Sequence, residues 1–316
     1  MDNIIDVSQT EVQGKTVYQR VAPESMQVIA LLEPGIYFDL SAKYYHQLPY
    51  VSNSYLGKLK HCPATAQEPW TVTAAMTYGR AFHTYILEPN QFKKEFFVVP
   101  DVDGRTSIGR KLKANAVLDN LGKEALQAAD VEPLIGMGKS VSAHPSARVL
   151  LRNCYVEVTL IWDHVMPDGS KIRMKARVDA IPKDAHGILA DLKSAKDASE
   201  VGFLRSIVQF GYYRQAAVYL DGLNTLFYYY EERGLDFPFP SAFDNFTFIA
   251  VEKDGVYRTE CYDLTPAFYE FGRGEYHQLL EVERACRQAR RGPVYPAFRN
   301  AGVQTLDLPQ YLRNAA

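Results

Sequence analysis

The sharpest alternation of apolar and polar positions lies in the middle of the chain. From Tyr155 to Trp162 the even positions Val156, Val158, Leu160 and Trp162 are apolar, and Tyr155, Glu157 and Thr159 hold odd positions. From Ile172 to Ile181 the even positions Ile172, Met174, Ala176, Val178 and Ala180 are apolar or small. Arg173, Lys175, Arg177 and Asp179 hold the odd ones. A period of two predicts two strands, each with one face toward a core. Pro167-Asp168-Gly169 between them reads as a three-residue hairpin loop, with glycine where a left-handed conformation is needed. Pairing Met166 with Ser170 then fixes the register and sets Glu157 directly opposite Asp179.

A turn-rich segment, Ile181 to Gly187, leads into a third strand. Its flank Ile188-Leu189-Ala190 is too apolar for a surface edge, and Asp191-Leu192-Lys193 follows. Residues two apart share a face, so Asp191 and Lys193 project together while Leu192 enters the core. Further strands are predicted over 26–32, 96–100, 246–251 and 257–262. The 3.6-residue period predicts helices over 54–60, capped by Ser52 or Asn53, and over 74–87, where Met76, Phe82, Ile86 and Leu87 supply the apolar stripe. It resumes over 111–121 and over 131–151, where His144-Pro145 divides two helices. The last helices are 203–227 and 265–291, the latter opening on Thr265-Pro266. Residues 1–40 are weakly patterned and are set aside as an extension, 41–292 as the domain and 293–316 as an irregular tail.

Composition adds bounds. With 47% hydrophobic and 23% charged residues the chain has ample material for a core, and its net charge of −2 makes no global electrostatic case for nucleic acid. Any such case rests on local patches. Cys62, Cys154, Cys261 and Cys286 show no CxxC pairing, which argues against a zinc or iron–sulfur site and a disulfide framework. With no basic leader followed by an apolar run, and no apolar run near ~18 residues, the expectation is a soluble cytoplasmic protein with no membrane association.

The candidate chemistry gathers on the central strands. Asp179, Asp191 and Lys193 are two acids and an amine near one another on a sheet. Such a set holds a divalent cation and orients water for phosphodiester hydrolysis. Glu157 joins them through the hairpin register. His83, with Gly79 one turn earlier, could add an imidazole ligand compatible with manganese as well as magnesium. Two Gln-x-x-x-Tyr pairs, Gln209/Tyr213 and Gln215/Tyr219, follow on the next predicted helix; a six-residue offset turns them about 240° apart, so only one can face the site. Arg105, Arg110, Lys111 and Lys113, with no acid between Asp103 and Asp119, form a basic run. Such runs are most often solvated faces; in a nucleic-acid enzyme they are phosphate contacts, with Arg173 and Lys175 on the polar strand face.

Gly79-Arg80-Ala81-Phe82-His83, Arg177-Val178-Asp179, Asp191-Leu192-Lys193 and Gln215-Ala216-Ala217-Val218-Tyr219 resemble, in order and spacing, the motifs of PD-(D/E)XK nucleases of the RecB-like group. The nearest likeness is to the RecE-type (exonuclease VIII) domain common in phages and prophages, over roughly residues 40–290. The resemblance implies an α/β (α+β) fold with a central mixed sheet flanked by helices. It implies His83, Asp179, Asp191 and the Leu192 carbonyl as metal ligands for Mg2+, with Mn2+ able to substitute. Lys193 would activate water, Gln215 and Tyr219 would support the site or touch DNA, Glu157 would assist a second ion or a metal-bound water, and Arg80 would join the DNA contacts. It further implies stepwise 5′→3′ hydrolysis of linear duplex DNA, a 3′ overhang for a RecT-like single-strand annealing partner, and a ring-shaped homo-tetramer. The third motif is Asp-Leu-Lys rather than Glu-x-Lys, and the cluster-binding cysteines of some relatives have no counterpart. An endonuclease or CRISPR-adaptation-type nuclease, and a non-catalytic DNA-binding protein on the same fold, are the competing readings.

Overall fold

A computed structural model describes residues 32–68 and 71–289, the strand backbones 7–12 and 15–20, and positions 303, 305 and 307. In chain order the elements are β1 (Val7–Val12), β2 (Lys15–Arg20), β3 (Gly35–Tyr37), α1 (Ala42–Gln47), α2 (Asn53–His61), α3 (Ala74–Leu87), α4 (Pro89–Glu95) and β4 (Phe96–Val98). Then follow α5 (Ser107–Asp119), β5 (Glu124–Leu126), α6 (Val131–Ala143), α7 (Pro145–Arg152), β6 (Cys154–Val165), β7 (Lys171–Pro182) and β8 (Ile188–Ala195). The chain continues through α8 (Glu200–Phe210), α9 (Tyr212–Glu232), β9 (Asn245–Glu252), β10 (Thr259–Asp263) and α10 (Pro266–Gln288).

One six-stranded mixed sheet, ordered β10-β9-β8-β7-β6-β3, positions everything else. β6 and β7 form the predicted hairpin: Met166 N–H bonds Ser170 at 2.8 Å, and Gly169 takes φ +79°. β8 runs parallel to β9, so α8 and α9 cross over between them. One face of the sheet packs Val158, Leu160, Trp162, Val178, Phe246 and Phe248 against α2, α8, α9 and α10. The other packs Ala180, Ala190, Leu192, Ile249 and Val251 against Phe82 of α3, Met137 of α6 and Leu150 of α7. Covered on both sides, the centre of β8 is buried continuously from Leu189 to Leu192.

Local chemistry explains the helix ends. Ser52 caps α2 by accepting Tyr55 N–H at 3.2 Å, Thr73 caps α3 through Met76 at 3.3 Å, and Ser199 caps α8 through Gly202 at 3.1 Å. The long helix predicted over 203–227 is two helices. Gly211, at φ +68°, ends α8, and α9 restarts at Tyr212. Gln209 and Tyr213 therefore do not form an i, i+4 pair on one helix, and Tyr213 instead hydrogen-bonds Glu275 at 3.2 Å.

The hairpin's odd face is not the solvated polar face that alternation suggests. Leu32, Tyr37, Leu40, Tyr44, Tyr45, Leu48 and Tyr50 form a small aromatic core over Ile161. Thr159 is buried beside it, and Lys175 is only 6% exposed. β3, the sheet's edge strand beside β6, comes from the segment set aside as an extension. The strand predicted over 26–32 falls, but for Leu32, outside the described residues, as does nearly all of the tail 293–316. Among the described residues no helix is long and apolar enough to cross a membrane.

Candidate metal centre

The centre forms where β7 and β8 part. Their ladder consists of a single pair, Ala180 with Ala190, and the next residues on either strand are Asp179 and Asp191. Beyond that pair the Asp179 side chain replaces backbone pairing, its Oδ2 accepting the Leu192 N–H at 2.9 Å. The same oxygen lies 3.3 Å from Nδ1 of His83, which α3 delivers from the other side of the sheet. Asp191, 2% exposed, turns toward α9: its Oδ1 accepts from Nε2 of Gln215, and its Oδ2 is in ion-pair contact with Lys193. The Lys193 ammonium is thus the partner of Oδ2, and both Asp191 oxygens are engaged inside the protein. The Lys193 ammonium also sits 4.9 Å above the Tyr212 ring.

Glu157 stands opposite Asp179, as the register predicts, but the ladder skips this pair. Bonding runs through Val156–Ala180 and resumes at Val158–Val178, because Glu157 takes φ +52°. Its carboxylate bonds the Arg177 guanidinium, which also donates to the Leu40 carbonyl and, at 3.5 Å, to Thr159 Oγ1. One ligand atom each from His83, Glu157 and Asp179 all lie within 4.8 Å of one another, the three-residue cluster found among the described residues. Tyr219 is near as well, hydrogen-bonded with the Arg177 backbone.

The electrostatics are those of charges crowded out of water. Burial disfavours the His83 imidazolium, but the Asp179 carboxylate beside it, with Glu157 behind, raises it to about 9. Burial also works against the Asp179 carboxylate, and His83, Lys193 and the Leu192 N–H hold it below the usual range. Asp191 is pushed up by burial, with Lys193 opposing and Asp179 adding to the rise. Burial works against the Lys193 ammonium, yet the two aspartates raise it. Burial, with the nearby acids, lifts the Tyr219 phenol well above its ordinary value.

These residues fit a divalent cation. One imidazole and two partly buried carboxylates, with the buried Asp191 carboxylate nearby, form a hard, mostly oxygen donor set. A divalent cation suits such a set, and an iron–sulfur cluster, which needs thiolates, does not.

Several predicted DNA contacts are occupied inside the protein. Lys175 donates to the carbonyls of Tyr45 and Leu48, both at 2.7 Å, so its ammonium is buried structure and not a phosphate contact. Arg173 is held by Asp163 at 2.7 Å and by the Leu32 carbonyl at 2.9 Å. Arg80 stacks 5.0 Å over Phe96 and pairs with Glu124, pinning the β4–β5 pair to α3. Arg110 and Lys111 are exposed on α5, Lys113 reaches back toward Asp103, and Arg105 pairs with Asp103 at 3.2 Å. Sequence reasoning gave no role to Arg177, Tyr212 or Glu88. Arg177 sits two residues before Asp179 on the same strand face, and Tyr212 lies one helical turn before Gln215, so periodicity carried both. Burial and the Glu157 carboxylate raise Glu88, at the C-cap of α3, whereas its sequence signal was only that of a helix end.

A mixed sheet flanked by helices, with acids and a lysine where two central strands part, is the core of the PD-(D/E)XK class. The sequence matches the model of the PDDEXK-like domain of unknown function (DUF3799) over residues 52–298, and the chain belongs to that family. A crystal structure from Eubacterium rectale, described as a candidate exonuclease, shares the fold. It aligns over 88% of this chain and 98% of its own, at 12% identity and a TM-score of 0.53. The structure of SSO0001 aligns over 75% of this chain and 87% of its own, at 11% identity and a TM-score of 0.27. No curated protein matches the sequence.

Proposed function

We propose that the chain is a metal-dependent 5′→3′ exodeoxyribonuclease acting on the ends of linear duplex DNA. The observation that carries the reading is the convergence of Asp179, Asp191, Lys193 and His83 at the parting of β7 and β8. In it, His83, Asp179, Asp191 and the Leu192 carbonyl would hold Mg2+, or Mn2+ in its place. The cation's part is to polarise the scissile phosphate and lower the pKa of attacking water.

The protein's part is positional. Lys193, raised by its aspartates, stays an ammonium and serves to orient water and offset charge developing on phosphate. Gln215 fixes the Asp191 carboxylate. Tyr219, a neutral phenol at working pH, supports the strand backbone at Arg177. Arg110 and Lys111 are the exposed cations best placed for phosphate contacts, with Arg105 and Lys113 partly engaged nearby. Polarity, a 3′ overhang passed to an annealing protein, and a ring-shaped homo-oligomer rest on the sequence resemblance to RecE-type domains. The description of the E. rectale neighbour accords with exonuclease action.

The test is nucleotide release from linear duplex bearing a 5′ phosphate, alongside closed circular duplex of the same sequence. The exonuclease reading expects Mg2+-dependent release from the linear form and an intact circle. Cutting of the circle would favour the endonuclease reading of the same centre.

A further inference from the structure

We propose that the exposed ring of Phe210, at the corner between α8 and α9, is a stacking platform for an unpaired nucleobase at the DNA end. The inference deepens the nuclease reading by naming a subsite, and rests on it for the presence of nucleic acid.

Phe210 belongs by pattern to the core-facing side of α8. Phe203, Ile207 and Phe210 follow one another at intervals of four and three residues, the spacing of one helix face. Phe203 is 1% exposed and Ile207 4%, whereas Phe210 is 56% exposed. The other exposed apolar side chains of α8, Val201, Leu204 and Val208, lie about 150° round the helix from it. Phe210 is therefore no part of that stripe. It is the outermost ring of the core, and it is left uncovered.

What Phe210 ends is a file of rings. It meets Tyr212 at 5.7 Å between centroids and 35° between planes, and Tyr212 meets Phe248 at 5.6 Å and 28°. Left-handed Gly211 turns the chain between the first two, so the last residue of α8 lies against the first of α9. Both inner rings also flank the Lys193 ammonium, which is 4.9 Å from the Tyr212 centroid and 5.9 Å from that of Phe248. The open end of the file thus stands one ring away from the ammonium to which the nuclease reading assigns the phosphate.

Offset rings close to parallel are an arrangement that aromatic faces prefer, and a flat π-system extends such a file where an aliphatic side chain does not. Every nucleobase offers that face once it is freed from its pair, so stacking here accepts any sequence. A duplex end opened for hydrolysis beside Lys193 supplies such a base.

Fluorescence-anisotropy titration of the full-length protein in EDTA tests this without turnover. The probes are 5′-phosphorylated linear duplexes with a short frayed end, either intact or with one tetrahydrofuran abasic nucleotide moved through the unpaired positions. Wild type should bind the intact end roughly 5–100-fold more tightly than the end whose abasic nucleotide falls at the stacked position. Phe210→Leu keeps an apolar side chain but loses the π face. It should bind the intact end more weakly by a similar factor and no longer distinguish that abasic end. Phe210→Trp should bind and discriminate as wild type does, and all three proteins should melt alike, because the ring is exposed. Equal affinity of wild type and Phe210→Leu for the intact end would overturn the proposal and leave the nuclease reading standing, as would continued discrimination by Phe210→Leu. Loss of self-association in Phe210→Leu with DNA affinity unchanged would also overturn it, and would make the ring a contact between copies. Failure of wild type to bind any duplex end would overturn both.

Discussion

Asp179 takes the place of a backbone partner for Leu192: its Oδ2 accepts the Leu192 N–H at 2.9 Å one residue past the lone Ala180–Ala190 pair. One carboxylate thus stitches β7 to β8 and faces His83. Removing it has two separable effects. Asp179→Ala leaves a buried N–H unsatisfied and should cost about 1–3 kcal/mol. Asp179→Asn keeps an acceptor and should retain much of that stability while losing metal affinity. Urea denaturation of the metal-free variants reads the difference; equal losses would mean that the Leu192 bond contributes little.

Gln215 holds Asp191 from α9. Gln215→Leu leaves Oδ1 buried without its donor and should cost about 1–3 kcal/mol. Metal affinity or turnover should fall roughly 10–100-fold, the range for a residue that orients a metal ligand. Unchanged Mn2+ affinity and turnover would exclude the orienting role.

The break between α8 and α9 aims Gln215. Gly211 is left-handed at φ +68°, and a Cβ there would meet the Arg214 guanidinium at 3.1–3.2 Å. Gly211→Ala should therefore destabilise by about 1–2 kcal/mol. Thermal unfolding measures it, and a rise in stability would show that α9 tolerates a continuous helix.

Much of this was legible in the chain. Alternation in two strands and one three-residue loop set Glu157 opposite Asp179, and the period of two put Asp191 and Lys193 together. What pattern could not supply was the partner of each face. The odd face of the hairpin reads as polar, yet short aromatic segments around Tyr44, Tyr45 and Tyr50 cover it and bury Lys175. A lone glycine in a helical pattern is commonly tolerated, and the helix end shows only in the left-handed backbone of Gly211, φ +68°. Arg80 looks like a free cation until Glu124, remote in sequence, is seen beside it, whereas the hairpin register that sets Glu157 opposite Asp179 also sets Asp163 opposite Arg173.

Glu275 links α10 to α2 and α9 through Lys60 and Arg214. Burial opposes its ionisation, and the two cations more than offset that, so its folded pKa lies below the ordinary 4.5. A depressed acid stabilises the fold above its unfolded pKa, and this contribution fades as pH falls through the folded value. The stability gap between wild type and Glu275→Gln should therefore be full at neutral pH and narrow below about pH 4.5. Chemical denaturation at several pH values checks it; a gap that widens in acid would reverse the sign.

The central claim is that Asp191 serves the chemistry and not the grip on DNA. The direct measurement is nucleotide release from 5′-phosphorylated linear duplex with Mg2+ and with EDTA, for wild type and Asp191→Ala, beside duplex binding by both. The account predicts release only by wild type with metal, and comparable binding by the variant. Release by Asp191→Ala at the wild-type rate, or by wild type in EDTA, would contradict it.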